Sequence, residues 1–339
     1  MRTALPAIAL VCSAIYGASA QEPFRFRSGV ELINVTATVT DDRGRFVSGL
    51  RAEDVLVYDD DRRQTISHFS SERVPVSLGF ALDTSGSMAF DKMAAARSAV
   101  ERFMDTMLGP DDEMFLLRFS NGSELVQPWT NDRRVMSRAV RNLSAHGGTA
   151  LYDGVAEAVP IAQSGRNSKK AVVIISDGND TGSRVSPSDV RRIIRDRDVL
   201  VYAVGIDGIS RETFSRRPPV IPRIPFPIPF PGGRRQPEFP EFPPIIGGGG
   251  QSGGWVNNNE RVNAMALRGI TDDTGGRTEV VRDAADLAGA TTRIADELTK
   301  QYYLGYASSG TRDGKWHSIR VEVRSRNVTV RARKGYVAS

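Results

Sequence analysis

Five residues with oxygen side chains, Asp83, Ser85, Ser87, Thr149 and Asp177, lie in three separate loops, each following or facing an apolar run. The first loop closes the stretch Val76 to Ser87 (VSLGFALDTSGS), the second is His146 to Ala150 (HGGTA), and the third ends Ala171 to Gly178 (AVVIISDG). Together they offer hydroxyls and carboxylates and nothing softer, a donor set that suits Mg²⁺ or Mn²⁺ rather than zinc. There is no second carboxylate beside Asp83, so a cation held here keeps residual positive charge. An Asp or Glu from a partner protein could then complete its shell. No general base stands beside the set and no nucleophile is evidently activated, so the chemistry points to binding rather than catalysis. The alternative is that these residues cap helices and shape turns in an ordinary α/β domain, where Ser, Thr and Asp are favoured anyway.

The elements that must position them alternate. After the first loop, Met93, Ala96, Val100, Phe103 and Met107 step by three and four, the stripe of an amphipathic helix that Gly109-Pro110 stops. Met114–Phe119, Ala171–Ser176 and Val199–Ile206 read as buried strands; Asn131–Leu143, Leu151–Ala162, Asp189–Asp196 and Asp283–Lys300 read as helices. Repeated strand-then-helix order predicts an α/β fold, an open, doubly wound, mostly parallel sheet with helices on both faces. In such sheets ligands bind beyond the carboxyl ends of strands at a topological switch point, where Asp83 and Asp177 both fall.

Both ends of the chain carry a different pattern. Ile33, Val35, Ala37 and Val39 alternate with polar residues, as do Val55 and Val57, and Ile66 and Phe69 lie on a further strand. Near the other end Ile319, Val321 and Val323 alternate, then Val328, Val330 and Ala332. Neither segment can bury much alone, so the two are expected to build one small β-sandwich into which the α/β domain is inserted. The expected organisation is residues 1–20 as a signal peptide, 21–73 as one half of the sandwich, 74–303 as the α/β domain, and 304–339 as the other half. Residues 216–254 change composition abruptly to proline, phenylalanine and glycine, which read as an extended, disordered insertion. Its four phenylalanines leave a docking segment as the alternative.

The chain of 339 residues carries a net charge of +5 spread along its length, without the aromatic-interleaved basic stripe of a nucleic-acid site. Met1-Arg2, an apolar run and Ala18-Ser19-Ala20 form a cleavable secretory leader, and the sole cysteine, Cys12, lies inside it. The mature chain is therefore expected to have no thiol and no membrane-spanning segment, and to be secreted or periplasmic. Arg118, Asp153 and Asp180 read as solvated or helix-capping, His146 as a loop histidine, and Trp129 and Trp316 as core fillers.

The Asp83-x-Ser85-x-Ser87 string, followed by Thr149 and Asp177 in order, resembles the metal-ion-dependent adhesion site of von Willebrand factor type A (vWA) domains. Further segments, Val39–Val47, Leu50–Val55, Gln301–Tyr306 and Ala332–Tyr336, resemble a bacterial family of secreted vWA-related proteins. The resemblance implies that Ser85 and Ser87 donate hydroxyl oxygens directly to the metal. It implies that Asp83 and Asp177 act mainly through bound waters, and that Thr149 approaches directly when a ligand is present. It implies a protein partner presenting Asp or Glu. Two other functions are weighed beside it. One is a metal-dependent hydrolase or phosphatase; the haloacid-dehalogenase type needs a second carboxylate where this chain has Ser85, which counts against it. The other is an envelope assembly factor docking through the sandwich and the proline-rich segment.

Overall fold

The computed structural model describes residues 32–207, 262–308, 313–325 and 327–338. The expected leader and the 216–254 insertion lie outside the described residues. Strand β1 is Leu32–Asp41, β2 Val55–Asp59, β3 Arg62–Gln64 and β4 Ile66–Ser70. The α/β region follows with β5 (Val76–Asp83), α1 (Asp91–Met107), β6 (Glu113–Phe119), β7 (Ser123–Thr130), α2 (Arg133–Arg141), α3 (Leu151–Gln163) and β8 (Lys169–Ser176). It continues with α4 (Pro187–Arg195), β9 (Leu200–Ile206), α5 (Ala264–Thr271), β10 (Thr278–Val281) and α6 (Leu287–Lys300). Strands β11 (Tyr302–Ala307), β12 (Trp316–Val323), β13 (Val328–Ala332) and β14 (Gly335–Val337) complete it.

The central sheet runs β10-β9-β8-β5-β6-β7, parallel throughout except for the edge strand β7. Every residue of β5 and β9 is buried, as strands covered on both faces must be. One face packs under α1, α2 and α6, with Phe80, Phe103, Met136 and Ile294 in a single apolar cluster. The other packs under α3, α4 and α5, with Phe115, Val155, Ile194 and Leu267 in a second. Gly79 leaves room on β5 for the Phe115 ring, into which any Cβ there would drive. The chain leaves β5 toward β6 on one side and returns through β8 on the other, so the switch point lies between β5 and β8.

Both ends of the chain contribute to each of two four-stranded sheets, β13-β1-β11-β4 and β14-β12-β2-β3. Val35, Val57, Leu304, Tyr306 and Ile319 form the apolar layer between them. The β2–β3 turn places Asp60 and Asp61 at φ 46° and 61°, the positive pair of a tight hairpin. Strands β7 and β10 and helix α5 have no counterpart among the elements expected from the sequence, and α6 starts at Leu287 instead of the expected Asp283. Trp316 also departs from expectation. It is 38 % exposed and lies against the Arg195 guanidinium of α4 at the seam with the α/β region, instead of filling a core.

Candidate metal centre

The three loops that carry Asp83, Ser85, Ser87, Thr149 and Asp177 are hydrogen-bonded to one another, the first and third at the carboxyl ends of β5 and β8. Strand β5 delivers Asp83 with no exposed surface. Its Oδ1 accepts the Ser85 N–H at 2.8 Å and its Oδ2 accepts the Ser176 hydroxyl at 2.6 Å. The Ser85 and Ser87 Oγ atoms are 3.0 Å apart on the turn that follows. The second loop is fastened to the first: His146 N–H donates to Thr84 C=O at 2.7 Å, and Gly86 N–H to Gly147 C=O at 2.9 Å. Gly147 has φ +79°, and a Cβ there would lie 2.7 Å from Asn121 Nδ2, so this turn requires glycine. Thr149, nearly buried, accepts at its backbone C=O from Thr181 and Gly182 of the third loop at 2.9 and 3.0 Å.

Asp177 is wholly buried. Its Oδ1 accepts the Asn179 N–H at 3.1 Å, while its Oδ2 has no hydrogen-bond partner. A buried carboxylate oxygen left unpaired is costly, and the Asp177 charge acts on a second buried carboxylate, Asp83. Burial, opposed by the Ser176 and Ser85 hydrogen bonds and helped by the Asp177 charge, raises Asp83 to about 6. Two buried carboxylates that repel each other, one with a free oxygen, and two adjoining hydroxyls are a donor set that a hard divalent cation fits.

The flanking residues are structural. Asp180 Oδ1 accepts the Leu151 N–H at the start of α3, Asp153 Oδ1 accepts the Arg184 and Val185 N–H groups, and Arg118 pairs with Glu124. His146 is exposed and its Nδ1 lies 3.1 Å from Ser144 C=O. Trp129 packs edge-on against Phe115. Ser176, which locks Asp83 across two neighbouring strands, was not singled out from the sequence. A separate cluster brings ligand atoms of Asp59, Asp60 and His317 within 4.8 Å in the sandwich. Protein groups already serve it: Asp59 Oδ2 accepts from the Tyr306 and Tyr336 hydroxyls, and the His317 ring lies between Asp60 and Asp313.

Residues 78–179, which span all three loops, match the family model of the von Willebrand factor type A domain. The chain carries a vWA domain. Curated relatives match part of the chain. The Magnesium-chelatase 60 kDa subunit of Cereibacter sphaeroides is 30 % identical over 142 residues, 41 % of this chain and 25 % of that protein. The inter-alpha-trypsin inhibitor heavy chain H4 of Bos taurus is 24 % identical over 138 residues, 37 % of this chain and 15 % of that one. The chain thus spans a quarter or less of these two relatives. Among solved structures, a von Willebrand factor type A protein from Catenulispora acidiphila has a TM-score of 0.47 and 15 % identity, covering 91 % of this chain and 75 % of that one. The mussel byssus proximal thread matrix protein 1, solved with a zinc-occupied MIDAS motif, has a TM-score of 0.48 and 13 % identity, covering 72 % and 50 %.

Burial of Asp83 predicts an acid-side signature. The unfolded chain ionises Asp83 near the ordinary 3.8, whereas the fold keeps its proton to about 6. Between those values the folded state binds the extra proton, so the stability of metal-free protein should fall as pH rises from about 4 to about 6 and then level off. Urea titrations across that range in chelator should show the fall. Added Mg²⁺ should stabilise the protein more above pH 6 than at pH 4, where protons compete for the same oxygens. An equal Mg²⁺ effect at both pH values would contradict this.

Proposed function

We propose that this chain is a binding module in which Asp83, Ser85, Ser87, Thr149 and Asp177 hold Mg²⁺ or Mn²⁺ and engage an Asp or Glu of a protein partner. The observation that carries the proposal is the unpaired, buried Asp177 Oδ2 in the loop beside the wholly buried Asp83. A bound divalent cation would supply a Lewis-acidic contact for the partner's carboxylate. The groups touching the cation directly would be neutral serine hydroxyls, with Asp83 and Asp177 acting mainly through bound waters, so the cation would keep an attraction for an incoming carboxylate.

A non-enzymatic role fits the geometry. Asp83 gives both carboxylate oxygens to hydrogen bonds with Ser85 and Ser176, which suits a fixed ligand better than a nucleophile or a mobile base. We place the protein outside the cytoplasm, secreted or periplasmic, on the leader pattern of residues 1–20. Among the described residues no helix is long and apolar enough to cross a membrane.

Partner capture should need Mg²⁺ and a carboxylate on the partner. Thr149→Ala should weaken it, by roughly tenfold for one lost charge-assisted contact. Ser85→Asp should weaken capture while retaining metal, because the added negative charge repels the incoming carboxylate. The test is surface capture of the isolated partner by wild type and both variants in Mg²⁺ and in chelator. Capture that persists in excess chelator would refute the proposal.

A further inference from the structure

Five large apolar side chains are exposed among the described residues, and the two most exposed frame the candidate metal loops. Phe90, 91 % exposed, lies three residues beyond Ser87 at the start of α1. Met265, 84 % exposed, is the second residue of α5. The start of α5 is tied to the third loop, since Asn263 N–H donates to Asp177 C=O at 2.8 Å. Helix α1 packs on one face of the central sheet and α5 on the other, over β9 and β10, so the two side chains belong to opposite faces of the sheet.

Phe90 is also strained. Its φ of 58° and ψ of −121° are a glycine conformation, forced here on a bulky side chain that makes no cap hydrogen bond and is not buried. Neither packing nor helix capping explains a phenylalanine at this position, and strain of this kind concentrates where function demands it. On the α5 side the surface is grooved. Tyr152, Pro187, Arg191, Met265 and Ile270 line an open cleft of about 260 Å³ between α3, α4 and α5, large enough to seat an apolar side chain. Tyr152 is three residues beyond Thr149, so the cleft adjoins the second metal loop.

We infer that Phe90, Met265 and the Tyr152–Ile270 cleft form an apolar rim that selects partners whose metal-binding Asp or Glu is flanked by large apolar residues. The inference rests on the proposed metal-dependent binding and names its partner class. The occupant follows from charge complementarity and continuity. A carboxylate drawn to the cation would bring its chain neighbours toward Phe90, three residues beyond Ser87, and toward Met265, beside the Asp177 loop. Apolar flanks on that chain would cover both and remove them from water.

The test is selection from a displayed library of random disulfide-cyclised nonapeptides on the full chain in Mg²⁺, repeated in chelator. Wild type should enrich Asp or Glu with Leu, Ile, Phe or Met within three positions on both sides, and chelator should abolish the enrichment. Phe90→Gly should keep or raise Tm, because glycine relieves the positive φ, yet bind a wild-type-selected peptide roughly tenfold more weakly. Met265→Ser should lose the apolar preference on one side. Calorimetric Mg²⁺ binding on the same samples reads the metal separately. Protein that binds Mg²⁺ but selects acidic peptides without apolar flanks, or selects none, loses the rim and keeps the metal. Protein that binds no Mg²⁺ loses both. Sedimentation with phosphatidylglycerol vesicles in chelator that Phe90→Gly abolishes would overturn the inference in favour of a membrane surface.

Discussion

Replacing Glu297 by alanine should be among the most damaging single changes in the chain, costing about 3 kcal/mol of stability. Glu297, on α6, is 1 % exposed and sits where the α/β region meets the sandwich. Its Oε1 accepts the Tyr202 hydroxyl of β9 at 3.0 Å and the Thr38 hydroxyl of β1 at 3.3 Å, and pairs with Arg331 of β13. Its Oε2 lies 2.9 Å from Arg277 Nε. Alanine would remove the acceptor of a phenol and of a hydroxyl, and one carboxylate partner from each of two guanidinium groups, leaving Arg277 with Glu279 and Arg331 with the Gly275 C=O. The arginine side chains remain 30 % and 34 % exposed and can recover some water, which is why the expected cost sits at the low end of a broken buried pair. Glu297→Gln keeps the acceptor and should cost less than half as much. Thermal melts should show the alanine variant down by roughly 6–12 °C. Equal Tm values for wild type and Glu297→Ala would mean that this junction contributes nothing.

Ending the chain after Tyr306 should have a larger effect, confined at first to the sandwich. The deletion removes β12 from β2 and β13 from β1, along with Ile319 and Tyr336 from the apolar layer. Strand β1 keeps β11 as its partner but loses the opposing sheet's cover on Val35 and Val39. Strands β2 and β3 become an isolated hairpin, which is marginal in water. Arg331 also leaves Glu297. Hydrogen exchange should show Ile33–Val39 losing protection, while β5 and β8, covered by helices on both faces, keep theirs. Retained protection across Ile33–Val39 would show that the sandwich does not depend on its C-terminal strands.

The placement of the first and third loops was legible because Asp83 and Asp177 end apolar runs, which announce the carboxyl ends of β5 and β8. The alternation at Ile33–Val39 and at Ile319–Val323 likewise announced half-buried strands. Other features lacked a local signal. Strand β7 mixes Glu124, Gln127 and Pro128 with Leu125 and Val126, since an edge strand is paired along one edge only and is only partly buried. Helix α5 has eight residues, too few to show a clear period. Glu297 sits beside Leu298 as an ordinary polar position; what buries it is the sandwich, built from residues far away in sequence. Ser176 meets Asp83 across 93 residues of chain. Phe90 gave no signal because its meaning lies in its φ and its exposure.

The most direct test of the metal centre is an anomalous difference map from crystals soaked in Mn²⁺ and measured on both sides of the manganese edge. The predicted result is one strong peak within ligand distance of Ser85 Oγ and Ser87 Oγ, facing Asp83, Thr149 and Asp177, and absent from Asp83→Ala crystals. No peak among these five residues, or a peak confined to Asp59, Asp60 and His317, would contradict the account.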